Sequence, residues 1–183
     1  MRLRGELNGE ERSSEWAKEA RRWLEESSAR GGTIVTGGEE QVKVLWEGEG
    51  QGGLFNALGL PGLRVSLVEN GCARCTLRIP SHLTDENGNW QTGSIAAAID
   101  DVGAAAIVSV DGIIKVSVQF DISYFYPAKF NEEVEMESRV VERKDMLTAV
   151  VVEVRKKATG ELVAIGRQWM SASRGKKIAN SRL

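Results

Sequence analysis

Asn89–Val110 reads NWQTGSIAAAIDDVGAAAIVSV. It is a helix built largely of Ala, Gly, Ser and Ile, with two adjacent acids, Asp100 and Asp101, at its centre. Its length and apolarity suit a membrane span, but two central carboxylates would be very costly in lipid. A helix facing water would carry Lys and Glu on its outer side, and none occurs between Gln91 and Asp100. The stretch therefore reads as a helix enclosed by protein, whose small side chains let a neighbour approach closely. A carboxylate buried there with no cation nearby in sequence needs hydrogen-bond donors, which marks it as a candidate functional group.

Outward from this helix the chain is regular. LRVSLVENG and CARCTLRIP predict two strands joined at Glu69-Asn70-Gly71. A polar loop, SHLTDENGN, leads into the helix. Four more strands follow: KVSVQFDISYF, EEVEMESRVVE, LTAVVVEVRKK and ELVAIGRQWMS. In the second of these, Val134, Met136, Ser138 and Val140 alternate with Glu133, Glu135, Glu137 and Arg139, as in a strand with one dry face. Arg143-Lys144-Asp145 and Ala158-Thr159-Gly160 are the expected turns. The order β-β-α-β-β-β-β with short connections predicts an α+β fold, a curved antiparallel sheet wrapped around one long central helix.

The N-terminal third is less regular. Ser13 or Ser14 is the expected cap of a helix running to about Ala29, with Trp16, Ala20, Trp23 and Leu24 on one face. A Gly-rich insertion, Gly31–Gly53, and a short LFNALGL helix stopped at Pro61-Gly62 follow.

Composition sets wide bounds. At 183 residues, with a net charge of −2 from 24 basic and 26 acidic residues, the chain gives no electrostatic reason to expect nucleic acid. Cys72 and Cys75 stand three apart on a strand, which puts the thiols on opposite faces. With His82 the sole histidine, no zinc set is expected and both thiols read as reduced and structural. The N-terminus, where Arg2 and Arg4 meet Glu6, Glu10 and Glu11, fits neither a signal nor a transit peptide. Ser181-Arg182-Leu183 is a close variant of the Ser-Lys-Leu peroxisomal signal, preceded by Lys176 and Lys177. A peroxisomal location through an import receptor is the expectation, with the cytoplasm as the alternative.

From about Leu54 to Met170 the sequence resembles the small hotdog-fold acyl-CoA thioesterases, the group of the phenylacetate-pathway enzymes and animal thioesterase superfamily member 2. The resemblance rests on GNWQTGSIAAAIDD, KVSVQFDISYFYPAK and VRKKATGELVAIGR, in that order. Plant members of the group often end in a peroxisomal tripeptide. The implied organisation is an extension over 1–53, a hotdog domain over 54–173 and a basic tail over 174–183.

The resemblance also implies a mechanism. A helix N-terminus would polarise the thioester carbonyl through backbone N–H groups, here those of Thr92 and Gly93. Asp100 would act as general base on water or as nucleophile, and Ser117 would help hold the nucleophile or water. The family's His-Gly-Gly is departed from, since Gln91 and Thr92 replace its first two residues. Thr92 keeps its N–H but restricts φ and adds bulk. Asp85 stands where relatives carry a water-binding Asn. It would either repel Asp100 or simply cap its loop.

Lys129, Arg143, Lys144 and Arg167 are candidates for the phosphates of CoA, and aromatic residues of the N-terminal region for the acyl pocket. CoA is part of the substrate, so no separate cofactor or metal is implied. A homodimer or homotetramer with shared sites is. The expected activity is hydrolysis of acyl-CoA to acid and CoA. One alternative is a non-catalytic acyl-CoA binder. A remote one is dinucleotide binding by Gly48–Gly53, a G-x-G-x-x-G with Glu69 placed as a ribose acid but no further βα units.

Overall fold

The computed structural model describes residues 9–30 and 62–172. Helix α1 (Gly9–Arg30) is followed by β1 (Arg64–Glu69), β2 (Cys72–Arg78), a single 3-10 turn (Ser81–Leu83), α2 (Thr92–Asp111), β3 (Val116–Tyr124), β4 (Glu133–Lys144), β5 (Leu147–Lys156) and β6 (Leu162–Ser171). The strands form one antiparallel sheet in the order β1-β2-β4-β5-β6-β3. This is the hotdog architecture. Gly48–Gly53, with the dinucleotide reading it carries, lies outside the described residues, as do the rest of the Gly31–Gly53 insertion, the LFNALGL helix and the tripeptide.

Helix α2 owes its burial to its composition. Among the described residues it is long and apolar enough to cross a membrane, yet most of it is enclosed by this fold. Ile95, Ala98, Ile99, Val102, Ala105, Ala106 and Ile107 meet the inward residues Ala73, Cys75, Leu77, Val134, Met136, Val150, Val152, Val154 and Met170 in one core. The closest approach is at Gly166 on β6, where any Cβ would collide with Ile99 Cγ2. The alternation read from β4 holds, with Val134, Met136 and Ser138 buried. Cys75 is buried while Cys72 is partly exposed, as an offset of three on a strand requires.

Two turns follow from backbone chirality. Asn70 and Gly71 take φ 47 and 79, the left-handed pair of a tight hairpin turn. The β4–β5 turn is narrower than expected. Arg143 and Lys144 remain in the strand, and the reversal falls at Asp145 (φ 54) and Met146. Helix α2 ends in a left-handed Gly112 (φ 65), whose N–H donates to the Val108 carbonyl.

Helix α1 starts earlier than its serines suggest. Glu10 and Glu11 occupy the first turn, where the helix dipole favours acids. Ser13 lies inside the helix, its hydroxyl 3.5 Å from both Asn70 Oδ1 and the Ser109 carbonyl. Ala20 and Leu24 are fully buried, and the Trp16 indole lies against Gly112. Helix α1 thus packs on α2 and β1.

Candidate active site

The polar centre of the fold is Asp100. It sits on the third turn of α2, facing the junction of β3 and β6. Its Oδ1 accepts a hydrogen bond from Ser117 Oγ on β3 (2.7 Å) and another from Gln168 Nε2 on β6 (2.5 Å). Gln168 Nε2 also lies 3.4 Å from Ser117 Oγ. Three elements far apart in sequence therefore converge on one carboxylate oxygen. Among the described residues no donor reaches Oδ2, which is not sealed from solvent either. Asp101 faces elsewhere on the helix and is half-buried without a hydrogen-bond partner among the described residues. Burial, and then the charge of Asp100, push its carboxyl up to about 7.

Gln91 caps α2 with extended backbone (φ −64, ψ 135) and no side-chain cap. Its amide Nε2 instead turns back to the Thr84 carbonyl (3.0 Å), and its own carbonyl takes the Ile95 N–H. The N–H groups of Thr92 and Gly93 consequently have no partner among the described residues, and both residues are exposed. Such a helix end attracts negative charge. Gly93 has open space around it. Thr92 is held through its carbonyl, which accepts from Tyr124 Oη (3.1 Å).

Beside this helix end lies a cleft of about 410 Å³, walled by Asp85, Trp90, Thr92, Tyr124, Phe125 and Tyr126 among others. Its aromatic residues come from the 85–92 loop and the end of β3. Of the N-terminal residues expected to line an acyl pocket, Trp16 lies against Gly112 and Trp23 against the core, while Trp46 and Phe55 lie outside the described residues. Asp85 organises the loop. Its Oδ1 accepts from the N–H groups of Asn87 (2.9 Å) and Asn89 (2.8 Å), and Asn89 Nδ2 lies 3.4 Å from Oδ2. The Asn89 backbone bond leads in holding this carboxyl below its ordinary range. Of the two roles open to Asp85, capping is the one its bonds serve.

Within one chain the two halves of the expected site do not meet. Asp100 lies eight residues after Thr92, about 12 Å along the helix axis. The basic candidates do not gather either. Lys129 lies beside the cleft, paired by backbone with Asn89. Arg143 is engaged with Asp111 at the far end of α2, and Lys144 is next to it. Arg167 is on β6, 3.9 Å from Asp121. Among the described residues no three His, Cys, Asp or Glu side chains cluster as metal ligands.

Sequence reasoning missed Gln168, Tyr124 and Lys115. Gln168 carried a faint signal, a large amide at an inward position between Gly166 and Met170. Lys115 carried another, at the start of a strand that immediately follows an apolar helix.

A six-stranded antiparallel sheet curved around one long helix places the chain in the hotdog class of proteins. The model of the thioesterase superfamily matches residues 87–163. Human acyl-coenzyme A thioesterase 13 is 30% identical over 94 residues, 51% of this chain and 67% of that protein. Zebrafish thioesterase superfamily member 2 superposes with a TM-score of 0.62 at 22% identity, over 74% of this chain and 95% of that one. A Streptococcus mutans protein bound to acetyl CoA gives 0.59 at 20%, over 63% and 92%. The chain belongs to the thioesterase superfamily.

Proposed function

We propose that this chain hydrolyses acyl-CoA thioesters to a free acid and CoA, in an assembly where two copies complete each site. The observation that carries the reading is the Asp100 carboxylate, held through Oδ1 by Ser117 and Gln168 and open at Oδ2. Asp100 takes a proton from water as the water oxygen adds to the thioester carbonyl carbon. The resulting oxyanion lies against the Thr92 and Gly93 N–H groups of a second copy. Collapse breaks the C–S bond, and the proton passes to the departing CoA sulfur.

Sharing between copies is supported by the 12 Å gap within one chain and by the edge of the sheet. Among the described strands β3 has β6 as its one neighbour, and it leaves Val116, Val118 and Phe120 exposed. An apolar edge of this kind invites another strand. Lys129, next to the cleft, is the best placed of the basic candidates for a CoA phosphate. Arg143 is the least available, because Asp111 engages it. The resemblance of Ser181-Arg182-Leu183 to the Ser-Lys-Leu signal supports a proposed peroxisomal location, where fatty acyl-CoA would be a fitting substrate.

The test is thiol release from short, medium, long and aromatic acyl-CoAs. Turnover on any of them supports hydrolysis. No turnover, with binding intact by calorimetry, would make the chain an acyl-CoA binder in which the Gln91, Thr92 and Asp85 departures have cost the activity.

A further inference from the structure

Gln168 is an odd choice for its position. It points inward from β6 and is 2% exposed, among Val150, Val152, Gly166 and Met170. An aliphatic side chain would fill such a place without polar demands. Its Oε1 is buried and has no hydrogen-bond partner among the described residues. Room for that oxygen exists because residue 103, one turn beyond Asp100 on α2, is Gly; a Cβ there would come within 2.8 Å of Oε1. The fold thus keeps a buried carbonyl oxygen unsatisfied in order to place Nε2 on Asp100.

The orientation of the amide follows from the charge it meets. An ionised carboxylate accepts hydrogen bonds and donates none. Turning the amide over would set two acceptors against each other and orphan Nε2 as well. Ser117 is exposed and its hydroxyl rotates, so Gln168 is the fixed donor of the pair. Asp100 has Asp101 as a charged neighbour in sequence that points elsewhere on the helix, and it meets the uncharged Ser117 from β3 and the uncharged Gln168 from β6; among the described residues no cation bonds to it.

We propose that Gln168 is the positioning residue that pins Asp100 through Oδ1 and so makes Oδ2 the reactive oxygen, with Gly103 conserving the space that this requires. The assignment deepens the hydrolytic reading above and rests on it for the role of Asp100 as base.

The experiment compares full-length wild type with Gln168→Leu, Gln168→Glu and Gly103→Ala. The pH profile of acyl-CoA hydrolysis and a carbon-13 NMR titration of the Asp100 carboxyl are both recorded. Gln168→Leu is expected to lower kcat by about tenfold or more with little change in KM. It should move the acid limb and the Asp100 titration to higher pH, and melt at or above the wild-type temperature because the orphan oxygen is gone. Gln168→Glu can donate only when protonated, so its activity should fall as pH rises. Gly103→Ala, which displaces the amide without deleting it, should shift the titration in the same direction. Wild-type kcat and an unmoved titration in Gln168→Leu would overturn the assignment. A moved titration in a protein that hydrolyses no acyl-CoA would uphold the placement and overturn the hydrolytic reading instead.

Discussion

Asp111 and Lys115 form an ion pair of 2.9 Å across the junction where α2 ends and β3 begins, with side chains only 8% and 5% exposed. Thr148 on β5 closes the set, accepting from Lys115 Nζ (2.7 Å) and donating to Asp111 Oδ2 (2.8 Å), while Arg143 covers Oδ1. Burial alone would raise the Asp111 carboxyl. The bonds from Lys115 and Thr148, with the charges of Lys115 and Arg143, outweigh it and hold the carboxyl below its ordinary range. Removing Asp111 leaves the buried Lys115 ammonium without a counter-charge, whereas Asp111 without Lys115 keeps Arg143 and Thr148. Asp111→Asn is expected to lower stability by about 3–5 kcal/mol in urea melts, and Asp111→Asn with Lys115→Met to lose less. Equal losses in the two would show that the pair is not coupled.

Asp100→Asn keeps an oxygen for Ser117 and Gln168 to bond but cannot accept a proton from water. It should lower kcat about a hundredfold or more while the melting temperature stays within a few degrees. Full activity in this variant would make Asp100 structural and the mechanism wrong.

Asp101 predicts a pH dependence of stability. Its carboxyl titrates at about 7 in the fold against 3.8 for the free group. Between those values the folded state holds the extra proton. The associated stability is complete below 3.8 and is lost as pH rises through about 7. Asp101→Asn should match wild type at low pH and melt higher at pH above neutrality, by about 2–4 °C for each kcal/mol recovered. A constant difference at every pH would contradict this account.

Gly166→Ala forces a methyl group into Ile99, which is fully buried and has no room to yield. The expected loss is about 1–3 kcal/mol by chemical denaturation. Gly93→Ala is the control, since nothing lies within 4 Å of its added methyl. Similar effects at the two sites would mean that the close approach of β6 to α2 carries no weight.

Val118 is 58% exposed on the free edge of β3. Val118→Lys places a charge where a second sheet would join, and charged edges resist strand pairing. If sites are shared as proposed, sedimentation should show a smaller species and thiol release should fall with it, because a lone chain would then hold only half-sites. A monomer with undiminished turnover would refute the shared site.

Much of this architecture is visible in local pattern, because burial on one face writes itself into alternation. Val134 to Val140 reads directly as a strand, and the small residues after Gln91 read as an enclosed helix. What pattern does not carry is which strands become neighbours. Nothing in KVSVQFDISYF says that β3 pairs with β6 rather than with β4. Gln168 escaped notice for that reason, since its meaning depends on a partner 68 positions away. An acid in the middle of an enclosed helix was conspicuous in itself, but the choice of Asp100 over Asp101, and Ser117 altogether, came only through family resemblance, a strand serine being unremarkable alone. The start of α1 was misplaced because Ser13 resembles a cap, whereas its hydroxyl contacts Asn70 and the carbonyl of Ser109.

The strand order also has a temporal meaning. Strand β3 is made directly after α2, yet its backbone partner is β6, the last strand of the sheet. Until the segment Leu162–Ser171 arrives, β3 has no neighbour among the described strands and Asp100 lacks its buried donor. Closing so long a loop is slow and draws its reward late in folding. The surroundings of Asp100 are therefore completed by the strand that joins the described sheet last in chain order, well after its helix and β3 have been made.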